Sequence, residues 1–347
     1  MTHLAEKVKF LSDPSSYGGA TRRVEARETH MSWVFLTDSR VYKLKKPVRY
    51  PFLDFSSLPR RFYFCREELK LNSRLAENTY LAVVALRCDE TGHMSLSGAG
   101  HIIDWLVEMR RLPASDMLDA RIRHGSATRH EIERVGDRLV DFYARCPREL
   151  GAGETYVRYL AGEQLINRRI LGRPELGLPG LGQSALDKVD HALEQLGPAI
   201  EERVRRGTIV EGHGDLRPEH ICLTDPPQII DCLEFNHTMR IVDPYDEVNY
   251  LGIECDVLGA TWIRPLLRRM LERGIGNAPD APLLALYGGF RALLRARLCV
   301  AHLLEHPVRH GEKWHPLAIR YVAAADAQCL NLPSPAGRRS NRAYGDV

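Results

Sequence analysis

Two short runs near the start of the chain set the first pattern. Residues 32–36 (Ser-Trp-Val-Phe-Leu) and 41–45 (Val-Tyr-Lys-Leu-Lys) are rich in β-branched and aromatic residues, with Thr37, Asp38 and Ser39 between them. Such runs around a short polar turn predict a β-hairpin. Tyr80–Cys88 and His101–Met109 have the same character and predict two more strands. Ahead of the hairpin, Pro14, Ser15, Ser16, Gly18 and Gly19 break any helix, so residues 11–28 are expected to be loop. One helix, 57–76, interrupts the β-rich region. On it Phe64, Glu68, Leu71 and Leu75 share a face at helical spacing, whereas Glu67 falls with Tyr63, Lys70 and Arg74. An acid inside an apolar stripe needs a partner, because an unpaired buried carboxylate is costly.

After Leu112 the pattern turns mainly helical. Thr128 and Glu131 form a capping box that opens a helix with Ile132, Val135 and Leu139 on one face. Residues 185–206 predict a second long helix, 208–233 a short β segment, and 244–257, 261–273, 281–305 and 315–329 further helices. The Pro-, Ser-, Gly- and Arg-rich stretch after Leu332 predicts a mobile tail. The expected organisation is a β-rich lobe over 1–110, a mainly helical lobe over 111–330 and a tail over 331–347.

Composition narrows the class without naming an activity. The chain has 347 residues, 44% hydrophobic and 27% charged. This is an ordinary globular mixture, which excludes disordered, collagenous and disulfide-scaffold proteins. A formal charge of +3, with Lys and Arg scattered, gives no reason to expect a nucleic-acid partner. Eight cysteines form no Cys-x-x-Cys pair and mostly sit in apolar settings, so they are expected to be buried, reduced thiols. The segment Met-Thr-His-Leu-Ala-Glu-Lys has no apolar core of a signal peptide, and no run approaches a membrane span. A cytoplasmic location without a membrane partner is therefore expected.

The chemistry is concentrated in His213-Gly214-Asp215-Leu216-Arg217-Pro218-Glu219-His220-Ile221-Cys222-Leu223. Sixteen residues beyond Asp215, Asp231 ends the run Ile229-Ile230-Asp231. A polar loop, a short apolar strand and an Asp at the end of a second strand would bring two carboxylates near one point. Phosphoryl transfer needs such a pair: one carboxylate orients the attacking hydroxyl and the other holds Mg²⁺ on the nucleotide phosphates.

On these residues the chain resembles the protein-kinase-like superfamily, and within it the aminoglycoside phosphotransferase family. His-Gly-Asp-Leu-x-x-x-His stands where protein kinases have His-Arg-Asp-Leu-x-x-x-Asn. Thr29–Leu36 and Val41–Pro47 resemble a bacterial branch of that family, some of whose members carry a second, C-terminal P-loop domain. No Gly-x-x-x-x-Gly-Lys-Ser/Thr motif occurs in this chain, so the resemblance is to stand-alone members. It implies an α+β, bilobal protein-kinase-like fold with a nucleotide cleft between the lobes. It implies ATP and Mg²⁺ as cofactors and a small-molecule hydroxyl as acceptor.

By the same resemblance Asp215 is the catalytic carboxylate and Asp231 the metal ligand. Lys43 matches the strand lysine on the nucleotide phosphates, and Glu68 its helix partner. Lys45 points to the same side of the strand and competes with Lys43. Asp104–Arg110 matches the interlobe hinge, and Asp243–Asp246 a structural segment. With no glycine-rich loop ahead of Lys43, His30, Met31 and Ser32 would cover the phosphates.

One departure bears on catalysis. His220 occupies the position of the Asn that is a second metal ligand in the family. Mg²⁺ prefers oxygen donors, so an imidazole there favours Mn²⁺ or a weakened second site. Two alternatives follow: a pseudokinase that binds nucleotide without turnover, and a metal-dependent hydrolase built on His213, Asp215 and His220.

Overall fold

The computed structural model describes residues 3–332, apart from 20, 152, 179 and 305–310; the expected tail lies outside these residues beyond Leu332. The small lobe opens with α1 (Leu4–Leu11). Strands β1 (Glu25–Glu28), β2 (Ser32–Leu36) and β3 (Arg40–Lys45) follow, then the short pair β4 (Arg49–Tyr50) and β5 (Leu53–Asp54). Helix α2 (Leu58–Asn72) leads to β6 (Tyr80–Cys88), β7 (Met94–Ser95) and β8 (His101–Arg110). Apart from β4 and β5, which pair with each other, these strands form one antiparallel sheet in the order β1-β2-β3-β8-β6-β7. Helix α2 starts at Ser57, whose side chain caps Arg60 N–H. It packs against β6 and β8, burying Cys65, Glu68 and Leu71.

The large lobe is helical: α3 (Leu118–Arg123), α4 (Arg129–Arg145), α5 (Gly153–Leu171), α6 (Gln183–Arg205), α7 (Pro244–Val257), α8 (Ile263–Gly274), α9 (Ala281–Ala301) and α10 (Gly311–Gln328). Four short strands, β9 (Val210–Glu211), β10 (Ile221–Cys222), β11 (Gln228–Ile229) and β12 (Ile241–Val242), lie between α6 and α7. The expected capping box at Thr128 and Glu131 is present. One apolar core joins α5, α6, α9 and α10. A second joins Ile132, Val135 and Leu139 of α4 to Leu216, Ile221, Leu223 and Ile229, so the candidate catalytic loop is anchored in the hydrophobic interior. All eight cysteines are buried and free. Among the described residues, no helix is long and apolar enough to cross a membrane.

Three expectations are corrected. Residues 11–28 are not all loop: Glu-Ala-Arg-Glu forms β1, paired with β2 from Glu25↔Leu36 to Glu28↔Trp33. It is an exposed edge strand, where charged side chains are tolerated and no apolar alternation is required. Helix α5 forms in a stretch for which no separate helix was expected. Asp104–Arg110 is not the hinge. It belongs to β8, paired with β3 on one edge and β6 on the other, so its backbone groups are committed to the sheet. Asp104 is buried and holds Lys7 at 2.7 Å and Arg61 at 2.7 Å. Strand β8 ends at Arg110, and the chain turns mainly helical from there on.

Candidate active site

The loop that carries Asp215 is shaped by one glycine and one glutamate. Gly214 has φ +89°, and a Cβ there would lie 3.0 Å from the Met239 carbonyl oxygen. Only glycine adopts this conformation without strain. Glu247 of α7 accepts the backbone N–H groups of His213, at 3.1 Å, and Gly214, at 2.5 Å, together with the Tyr143 hydroxyl at 2.6 Å. His213 is fully buried. Its Nε2 donates to the Ile230 carbonyl at 2.9 Å and its Nδ1 accepts Asp215 N–H at 3.2 Å. Burial pushes its pKa down, which favours this neutral form. His213 thus ties the two carboxylate-bearing segments together.

Asp231 sits two residues past β11 with φ +63°, an uncommon conformation for a non-glycine residue. Small-lobe side chains hold it there. Asp231 N–H donates to the Tyr80 hydroxyl at 3.1 Å, and Cys232 N–H donates to Asn72 Oδ1 at 2.8 Å. Its carboxylate contacts Lys43 Nζ at 2.8 Å. Desolvation in the cleft opposes its charge, and Lys43 and His220 outweigh it, so the pKa is driven far below the usual range.

The structure brings both candidate lysines to Glu68. Lys43 Nζ lies 2.8 Å from Glu68 Oε1, and Lys45 Nζ lies 2.5 Å from Oε2. Lys45 is fully buried and also pairs with Glu234. Lys43 is the lysine that reaches Asp231 and the cleft. Burial acts to lower the pKa of both ammonium groups, but the surrounding carboxylates win and hold both above the usual lysine value. Glu68 is held down despite burial by Lys43 and Lys45, whereas burial pushes Glu234 up. Glu234 escaped sequence reasoning because its partner lies 189 positions away.

His220 lies between the two aspartates. Its Nδ1 is 2.8 Å from the Asp215 carbonyl oxygen and 3.8 Å from Asp215 Oδ2, and its Nε2 is 3.6 Å from Asp231 Oδ2. A carbonyl can only accept, so Nδ1 carries the proton and Nε2 presents the lone pair. That lone pair also faces Arg217 Nη2 at 3.2 Å. Arg217 contacts Asp215 Oδ1 at 2.9 Å and Glu219 at 2.6 Å, and the Tyr250 hydroxyl is 3.3 Å from the same Oδ1. On its other oxygen, Oδ2, Asp215 has His220 Nδ1 at 3.8 Å. Burial would raise the Asp215 pKa, but Arg217 and then His220 outweigh it and the group is lowered. Arg217 and Tyr250 were not anticipated. The one sequence signal for Arg217 was its place two residues after Asp215.

Ser32 lies at the junction of the β1–β2 turn and β2. It is buried at the start of β2, where its N–H and carbonyl close a turn with Thr29. His30 is exposed in that turn, and its Nε2 is 3.2 Å from Nδ1 of His302 at the end of α9. The turn therefore reaches across to the large lobe. Asp246 is fully buried and bound by Arg291 of α9 at 2.5–3.1 Å, the structural placement expected for it.

Among the described residues, no three His, Cys, Asp or Glu side chains converge on one point to cage a metal ion. The hydrolase alternative on His213, Asp215 and His220 loses its basis, because His213 spends both nitrogens on backbone groups. Mg²⁺ in nucleotide sites instead uses one or two carboxylates, completing its shell with phosphates and water. Asp231, its side chain 46% exposed, fits that requirement.

No family model matches the chain. An uncharacterised protein of Mycobacterium tuberculosis is 28% identical over 291 residues, which are 80% of this chain and 55% of the relative. A Mycobacterium bovis protein matches equally. The chain spans about half the length of these curated relatives. Solved structures match over nearly the whole chain. APH(2")-IIia in complex with GDP and kanamycin superposes with a TM-score of 0.54 and 16% identity, covering 93% of this chain and 98% of that one. A thermostable mutant of the aminoglycoside phosphotransferase APH(4)-Ia gives 0.55 and 10%, covering 93% and 98%. A choline/ethanolamine kinase family protein from Mesorhizobium loti gives 0.52 and 14%, covering 93% and 99%. At these identities the likeness is one of fold, and the fold is the bilobal protein-kinase-like one.

Proposed function

From the fold that this chain shares with aminoglycoside phosphotransferases and a choline/ethanolamine kinase family protein, we propose that it is an ATP-dependent phosphotransferase acting on a hydroxyl of a small molecule. The observation that carries this reading is one convergence. Lys43 of the small lobe lies 2.8 Å from Asp231 of the large lobe, and His220 places Asp215 and Asp231 on its two nitrogens. A nucleotide entering the cleft meets a lysine for its phosphates, a carboxylate for its cation and a second carboxylate for the acceptor.

In this reading Lys43 moves from Asp231 to the nucleotide phosphates while keeping Glu68. Asp231 would hold Mg²⁺, which would neutralise phosphate charge. His220 could add Nε2 as a further donor once Arg217 turns away, and its nitrogen suits Mn²⁺ better than Mg²⁺. Asp215 Oδ2 accepts a hydrogen bond from the acceptor hydroxyl and aligns its oxygen with the γ-phosphorus. Most of the rate comes from positioning and charge stabilisation. One contact favours a second reading, a nucleotide-binding module without turnover. Arg217 engages both Asp215 Oδ1 and His220 Nε2, and a guanidinium fixed there would keep the cation out.

The test is ATP consumption over a panel of hydroxylated metabolites and antibiotics, with wild type beside Asp215→Asn. The variant keeps size and loses charge. ATP binding should persist while turnover falls by about 10²-fold or more, the scale of a general-base contribution. Wild-type rates in Asp215→Asn would remove Asp215 from the catalytic role.

A further inference from the structure

A cavity of about 410 Å³ opens in the large lobe between α3, the loop after Asp215, α7, α9 and α10. That is the size of a small-molecule site. It borders the candidate catalytic carboxylate, because Arg217 in its wall is 2.9 Å from Asp215 Oδ1. Its rim residue His302 touches His30 of the turn before β2, so the cavity lies beside the interlobe cleft.

The charge lining this cavity is one-sided. Among the described residues, Arg123, Arg217, Arg295, Lys313 and Arg320 face it against Glu219 and Glu254, an excess of three positive charges. Three of these cations have acids of their own: Arg123 pairs with Asp119, Arg217 with Asp215 and Glu219, and Arg295 with Glu254. Lys313 and Arg320, both on exposed positions of α10, have no carboxylate partner among the described residues. Lys313 lies 4.6 Å from the Trp314 ring, and Arg320 donates to the Val257 carbonyl. A neutral backbone oxygen and an aromatic face leave both charges available to a ligand.

We infer that the acceptor is an anionic alcohol, a hydroxylated small molecule bearing a phosphate or carboxylate group that Lys313 and Arg320 bind while its hydroxyl reaches Asp215. Arg and Lys recognise both kinds of anionic oxygen. A polycationic aminoglycoside would meet like charge on this wall. The inference rests on the phosphotransferase reading above. In the transfer, the acceptor oxygen bonds to the γ-phosphorus and the bond from that phosphorus to the β–γ bridging oxygen breaks. Its electron pair stays on ADP, and the hydroxyl proton leaves through Asp215 to solvent.

The test is calorimetric binding to the full chain with Mg²⁺ and ADP. The probes are the sets glycerol, glycerate and glycerol 3-phosphate, and glucose, gluconate and glucose 6-phosphate, with kanamycin as a cation. In at least one set an anion should bind at least tenfold more tightly than its neutral alcohol. Phosphate and carboxylate members separate the two sources of charge. Lys313→Glu with Arg320→Glu should weaken that anion at least tenfold, and the milder Lys313→Gln with Arg320→Gln should weaken it by less. Melting curves check that both variants fold. Neutral alcohols or kanamycin binding as tightly as the anions, no anion binding, or variants binding unchanged would each overturn the inference. ADP binding without anion binding sinks this inference alone. Anion binding without ADP binding leaves the cavity standing and removes the phosphotransferase reading.

Discussion

Lys43 and Lys45 differ by two residues in sequence, and the structure predicts opposite consequences for losing them. Lys45 is fully buried with Glu68, and Glu234 is nearly so. Lys45→Met keeps length and volume but leaves two interior carboxylates with only Lys43 for compensation. Breaking a buried ion pair from one side costs about 3–5 kcal/mol. Lys43 has a more exposed partner in Asp231, which water can solvate, and Glu68 would keep Lys45. Lys43→Met should therefore cost about 1–2 kcal/mol, between the exposed and buried limits. At roughly 2 °C per kcal/mol for a chain of this size, the melting temperature should fall by roughly 6–10 °C in one variant and roughly 2–4 °C in the other.

The assay is urea unfolding followed by tryptophan fluorescence, to which Trp33 and Trp105 of the small lobe contribute, with ADP affinity measured alongside. Lys45→Met should lose stability, and adding Glu234→Gln should restore about 1 kcal/mol or more, because the second change removes an uncompensated acid. Lys43→Met should stay folded and lose nucleotide affinity. The reasoning fails if Lys45→Met is as stable as wild type, or if Lys43→Met is the more destabilised protein and still binds ADP normally.

Asp231→Ala should lower ATP affinity in the presence of Mg²⁺ and abolish turnover; unchanged Mg²⁺-dependent turnover would remove Asp231 from the metal role. His220→Asn should shift the preference from Mn²⁺ towards Mg²⁺ once an acceptor is in hand, and turnover appearing only in this variant would favour the module without turnover. Asp215 must be ionised to accept the hydroxyl, and its pKa is lowered, so its acidic limb in kcat/KM lies below the ordinary aspartate value of about 3.9. Arg217→Gln removes the main lowering influence and leaves burial, which raises the pKa, so the limb should move up in pH. A limb that stays in place would show that Arg217 does not control the charge of Asp215.

The motif resemblance singled out Asp215 and Asp231 as candidates, and helix spacing independently singled out Glu68. The two aspartates sit in a loop and a hairpin whose apolar flanks, Ile221 to Leu223 and Ile229, read directly as buried strands. Glu68 stood out because helix period alone places it on an apolar face. The strands of the hairpin and most large-lobe helices were legible for the same reason, since burial imposes a period on the residues that carry it. Strand β1 was not legible: on an exposed edge, backbone hydrogen bonding selects the conformation and the side chains carry no pattern. Lys43 and Lys45 share one side of β3, so no periodicity separates them. What separates them is Glu234, which closes over Lys45 from the other lobe, and Asp231, which meets Lys43 at the cleft. Arg217, Tyr250 and the basic wall of the cavity belong to the same class. Their charges come from segments between Arg123 and Arg320 that are adjacent only after folding. Sequence determined which groups could carry chemistry, because residue type and local period are written along the chain. Only the tertiary structure decided which of them share a dielectric environment and a partner, because those depend on what distant segments bring within a few ångströms.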